Sequence, residues 1–204
     1  MSLRKTVLLA ALALGLAALP AAAQAPAQRL PSQLPPETPP PPPQAAQPQT
    51  PHVVGEEITL APKTIVYLEG NGNWDSAYET LVDAFKRLYG FLDKEGVKPS
   101  GPSMTIYTET DDTGFKFQAG VPVAEAPKNP PRGDIAVGTS PSGRSFKFVH
   151  RGAYDSMDAM YEAITNFLDE RKLEARDMFV EEYVTDPVKT PEDKLVIHVI
   201  VPVK

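Results

Sequence analysis

Cysteine is absent from all 204 residues, which excludes disulfides, thiolate metal sites, cysteine nucleophiles and lipidated cysteines. Histidine is scarce. His52, His150 and His198 stand far apart with no H-x-x-H spacing, so no metal site is expected. The chain also lacks G-x-S-x-G, a glycine-rich phosphate loop and H-E-x-x-H, the patterns that announce hydrolase, nucleotide and zinc-protease chemistry. Gly70-Asn71-Gly72-Asn73 imitates a phosphate loop only superficially and reads as a strand-to-helix turn. Positive charge is in deficit, with 20 Lys and Arg against 26 Asp and Glu and a net charge of −6, which argues against an electrostatic nucleic-acid binder. Long hydrophobic runs are missing too: the longest, Val7 to Leu19, is well short of the ~20 residues a membrane-spanning helix needs.

That run belongs to a different pattern. Arg4 and Lys5 precede it, Pro20 breaks it, and Ala21-Ala22-Ala23 follows. A charged start, a short apolar middle and an A-x-A end form a secretory signal over residues 1–23, which implies a periplasmic or secreted protein. The same hydropathy also suits an uncleaved anchor, the one route by which the chain would meet a membrane. Residues 24–53 are rich in Pro, Gln and Ala, and 11 of the 23 prolines fall between Pro26 and Pro51. Proline fixes φ and removes a donor, so this linker is expected to be extended polyproline II. It reads as a spacer, a ligand for a proline-binding partner, or a plain disordered leader.

Residues 54–204 have ordinary globular composition and repeat themselves. Strands at Ile58-Leu60 and Thr64-Glu69 precede a helix opened by Trp74-Asp75-Ser76 and carrying Tyr78, Leu81, Val82, Phe85, Leu88 and Tyr89. Strands Met104-Thr108 and Phe115-Val123 follow. The order recurs as strands from Ile135 and Ser145, a helix through Met157, Met160, Tyr161, Ile164, Phe167 and Leu168, then strands Met178-Thr185 and Leu195-Val203. Gly72-Asn73-Trp74-Asp75-Ser76 matches Gly152-Ala153-Tyr154-Asp155-Ser156 at an offset of 80. The expected fold is α+β: two tandem ββαββ repeats, about 56–123 and 134–203, forming a mostly antiparallel sheet with both helices on one face. Strand alternation points Val66, Leu68, Phe146 and Phe148 at the helices. It groups Phe179, Glu181 and Tyr183 on one face of their strand, and leaves the closing strand apolar on both faces. The side without helices must therefore be covered by a ligand, a partner chain or the domain's own edges.

Phe146-Lys147-Phe148-Val149-His150-Arg151-Gly152, Glu181-Glu182-Tyr183-Val184-Thr185-Asp186-Pro187 and Val199-Ile200-Val201-Pro202-Val203 together resemble the gyrase-inhibitor-like (GyrI-like) small-molecule-binding superfamily, which includes effector-binding domains of multidrug-responsive regulators. The resemblance covers about residues 55–204 and implies a ligand groove between the repeats, on the face away from the helices. It also implies that the glutamate of Glu-x-Tyr, here Glu181, pairs with a cationic or polar ligand. The first half departs from the pattern with Thr105 at that place, although Tyr107 matches Tyr183. Relatives are commonly cytoplasmic and fused to DNA-binding modules. A signal peptide without such a module makes a transcriptional role an unexpected one here.

The candidate ligand-binding set is Glu181, Tyr183, Tyr107, Tyr67, Trp74, Glu69 and His198, an aromatic groove holding a carboxylate. Each has a plainer structural role beside the functional one: cross-strand packing for Tyr107 and Tyr183, helix-start packing for Trp74, a satisfied core histidine for His198. No catalytic residue, cofactor or metal is expected. Haem-binding SOUL proteins share a similar two-repeat fold, but no histidine here stands at a clear ligand position. The reading is an exported binding protein for a small amphipathic or cationic organic molecule. The alternatives are an envelope module whose groove holds a partner chain, and a hydrolase using Glu181 as a general base, like relatives that act on electrophilic natural products.

Overall fold

The computed structural model describes residues 53–204. The signal assigned to residues 1–23 and all of the 24–53 linker except Val53 lie outside the described residues. The elements run β1 (Glu56–Leu60), β2 (Thr64–Asn73), α1 (Ala77–Glu95), β3 (Ser103–Thr110), β4 (Gly114–Pro122), β5 (Ile135–Thr139), β6 (Gly143–Arg151), α2 (Met157–Glu170), β7 (Phe179–Tyr183) and β8 (Val196–Pro202). Single 3-10 turns, Trp74–Ser76 and Tyr154–Ser156, lead into α1 and α2.

The eight strands among the described residues join one antiparallel sheet in the order β1-β6-β8-β7-β3-β4-β2-β5. Exchanging β1–β4 with β5–β8 turns that order into its own reverse, so the topology has a two-fold pseudo-axis between β3 and β7. Each half lends its first strand to the other, β1 to β6 and β5 to β2.

Helix α1 buries Ala77, Leu81, Ala84, Phe85, Leu88 and Leu92, one stripe at helical spacing. It continues through Gly90 and ends at Gly96, whose left-handed φ of 65° lets its N–H bond back to the carbonyls of Asp93 and Leu92. Helix α2 buries Met157, Ala163, Ile164 and Phe167 against the same side of the sheet. Val66, Leu68, Phe146 and Phe148 meet the helices, as strand parity demands. The opposite face carries a smaller core of Ile65, Met104, Ile106, Val180 and Ile200, against which Ile58, Leu60 and Tyr67 pack. The domain's own edge strand thus supplies part of the cover that an apolar second face requires.

One expectation fails instructively. The strand expected to stop at Gly70 runs on to Asn73 and stays paired with β4 throughout. Gly70 stands opposite Phe117 and Gly72 opposite Phe115. A Cβ on either glycine would come within 2.7 or 2.9 Å of the facing ring. The two glycines are seats for phenylalanine rings, not strand breakers.

Substituting Gly72→Val should therefore cost about 1–3 kcal/mol in a denaturant titration, because the facing ring must shift. Gly90→Ala has nothing within 4 Å of the new methyl and should stabilise by ~0.5–1 kcal/mol. The same sign for both changes would contradict this packing.

Candidate functional site

Helix α1 lies on β2 and β4 and α2 on β6, with the central pair β3–β7 between them in the strand order. Residues opposite one another in an antiparallel pair share a face. Glu181 stands opposite Val199 and Tyr183 opposite Ile197, and both partners belong to the helix-side core. Thr105 pairs with Glu181 and Tyr107 with Phe179 across the pseudo-axis. Glu181, Tyr107 and Tyr183 therefore point toward the helices, which corrects the expectation of a groove on the face away from them. The alternation identifies which residues of β7 share a face, but only its register against β8 says which face that is.

Glu181 is fully buried, and four phenols surround its carboxylate. Tyr161 of α2 donates to Oε1 at 2.6 Å. Tyr183 donates to Oε2 at 2.9 Å and Tyr107 to the same oxygen at 3.1 Å. Tyr154, from the turn before α2, reaches Oε2 at 3.1 Å and Oε1 at 3.3 Å, and its hydroxyl lies 2.7 Å from that of Tyr107. Thr105 Oγ1 donates to the Tyr183 hydroxyl at 3.5 Å, at the edge of hydrogen-bonding range. An ionised carboxylate only accepts, so phenols are suitable neighbours.

The balance of charge at this carboxyl has a clear direction. Burial raises its pKa above the ordinary 4.5, and hydrogen bonds from Tyr161, Tyr183, Tyr107 and Tyr154 only partly offset that. The four phenols are themselves held well above their usual 10, first by burial and then chiefly by the charge of Glu181. They remain protonated donors at neutral pH. Glu181 joins no ion pair among the described residues, so its negative charge has dipoles around it and no counter-ion.

A cavity of about 890 Å³ opens over this carboxylate, between the starts of the two helices. Its aromatic walls are Trp74, Tyr107, Tyr154, Tyr161 and Phe179, and among the described residues no lysine or arginine lines it. Trp74 is fixed in place: its indole N–H donates to the carbonyl of Asp111 at 2.8 Å, and its ring packs on Phe115 with centroids 4.8 Å apart. Tyr154 stacks on Tyr78 at 5.3 Å.

Of the seven residues expected at the site, the structure brings Glu181, Tyr183, Tyr107 and Trp74 together. The other three lie on the opposite face. Tyr67 packs beside Ile65 and covers Gly138, and exposed Glu69 accepts from Gln118 Nε2 at 3.0 Å. His198 Nδ1 lies 3.3 Å from Glu182, whose other oxygen takes Lys63 at 3.0 Å. Tyr154, Tyr161 and Phe179 belong to the site and escape the sequence reading. The signal for Tyr154 is its alignment with Trp74, and for Tyr161 its spacing seven residues beyond Tyr154 on the way into α2.

A buried carboxyl with a raised pKa stabilises the fold only while protonated. Stability should be fully present below about pH 4.5 and decline as pH rises through the raised value. Thermal melts across that range should show a downward slope in the native chain that Glu181→Gln removes. An unchanged slope in the variant would assign the titration elsewhere.

Sequence and structure comparisons agree with this architecture. The GyrI-like small molecule binding domain family matches residues 56–204. Among solved structures, EcmrR in a complex with DNA is similar with a TM-score of 0.64 and 16% identity over 75% of this chain, which spans 58% of that one. SAV2435 bound to tetraphenylphosphonium gives a TM-score of 0.52 and 16% identity, covering 74% of this chain and 94% of that one. A hydrolase from Listeria innocua gives 0.52 and 12%, with 74% and 91% covered. At such identities the structural likeness is one of fold. No curated protein sequence matches the chain. On the match that spans nearly all the described residues, the chain belongs to the family of GyrI-like small molecule binding domains.

Proposed function

We propose that the domain captures an organic cation in the cavity above Glu181, and that the protein does so after export to the periplasm. The observation that carries this reading is a fully buried carboxylate, without a counter-ion among the described residues, at the floor of an aromatic cavity. Water is excluded there, so attraction between Glu181 and a ligand charge is weakly screened. Each aromatic face adds about 0.5–2 kcal/mol for a cation held over it. The ligand supplies the positive charge that the site lacks, and the tyrosines already orient the carboxylate to receive it.

The bound tetraphenylphosphonium of SAV2435 supports the ligand class by analogy of fold. A cavity with aromatic walls and a buried acid at its floor also favours a small molecule over a partner strand, which would need a long continuous groove. Export rests on the signal pattern of residues 1–23.

Tetraphenylphosphonium and tetraphenylborate have the same shape and opposite charge. The phosphonium should quench Trp74, the only tryptophan, and bind, whereas the borate should not. Glu181→Gln should weaken phosphonium binding by ~30-fold, about 2 kcal/mol, as expected for loss of one buried charge pair. Equal binding of the two ions would remove the electrostatic reading. The exported form recovered from cells should begin at Gln24 by mass, and an intact Met1 would contradict cleavage.

A further inference from the structure

The mouth of the cavity differs in charge from its walls. Asp75, Asp111, Asp112, Asp155 and Asp158 line it, and all five are exposed. Asp111 is occupied in its own turn, accepting from Thr113 N, Thr113 Oγ1 and Gly114 N at 2.7, 2.6 and 3.0 Å. The other four join no ion pair among the described residues. Asp75 and Asp155 occupy the same place in the two halves, the 3-10 turn before each helix. An acidic residue in a first turn also answers the helix dipole, but each helix N-terminus carries only about half a positive charge. Five carboxylates at the rim and a sixth at the floor far exceed that. The cavity is also much roomier than one ammonium group needs, at about 890 Å³ within the range of drug-sized sites.

We infer that the preferred ligand is an elongated dication: one charge settles at Glu181 among the tyrosines, an apolar spacer lies along Trp74, Tyr154 and Phe179, and a second charge stays at the acidic mouth. This rests on the proposed cation site and specifies its substrate class. The two charges meet different physics. The inner one is desolvated and insensitive to salt, while the outer one sits in water and is screened within a Debye length of ~10 Å at 0.1 M salt. A single cation leaves the mouth charge unanswered, and a dication answers both.

The test titrates the full chain with bis-trimethylammonium alkanes from hexamethonium to decamethonium, each beside the alkyltrimethylammonium of equal chain length. The best dication should bind at least tenfold more tightly than its monocation at low salt, and the ratio should shrink as salt rises. In the Asp155→Asn/Asp158→Asn double variant, checked for folding by circular dichroism, the ratio should fall toward one. A ratio near one in the native chain overturns the inference while leaving the cation site standing. A ratio unchanged in the folded double variant overturns it as well. Failure of monocations and dications alike, with tetraphenylphosphonium also unbound, overturns both this inference and the reading beneath it.

Discussion

A carboxyl group that water cannot reach has to be answered by the protein around it, and the answer here fixes much of the domain's centre. Glu181 takes hydrogen bonds from β3, β7, α2 and the turn before α2. A shift of any of these elements would strand an acceptor in the core, at a cost of about 1–3 kcal/mol or more for a charged group. The network is closed: among the described residues no buried side-chain nitrogen or oxygen lacks a partner. The same group that is costly to bury thereby ties the second half's helix to the central strands of both halves.

The carboxylate also marks where the symmetry stops. Thr105 and Glu181 face each other across the pseudo-axis, so one of two equivalent positions carries charge and the other only a hydroxyl. Trp74 and Tyr154 hold matching places at the two helix starts but do different work. Tyr154 reaches into the carboxylate network, while Trp74 is turned toward the β3–β4 hairpin by its bond to Asp111. A scaffold with two-fold topology thus carries a one-sided cavity, with a carboxylate at only one of its two equivalent central positions.

Much of this was legible in the residues. The element order follows from two periodicities and the repeat, and Glu181, Tyr183, Tyr107 and Trp74 were within reach because their motif and offsets stand in the chain. What the sequence conceals is relational. Alternation sorts β7 into two faces, but the face holding Glu181 is decided by its pairing with Val199, a register that no local pattern encodes. Tyr67 and Glu69 lie away from the helices as alternation expects, and His198 lies there with them; it is the carboxylate and its cavity that stand on the other face. Tyr161 reads as an ordinary member of a helix's apolar stripe, and only the approach of α2 to the central strands gives its hydroxyl a role. Gly70 and Gly72 read as breakers because what they accommodate, Phe117 and Phe115, lies more than forty residues on.

The exchanged edge strands bear on how such a chain is made. β1 is held by β6 and β5 by β2, and the central seam joins β3 to β7, so each half borrows a border and shares a centre with the other. During synthesis, the first half emerges with β1 lacking its ladder and the outer edge of β2 open. Its native pairing waits on residues more than eighty positions downstream. Topology of this kind disfavours a stable half-made intermediate and makes acquisition of the native state a late, collective event. The two halves are mutually dependent, since neither can complete its own ladder alone.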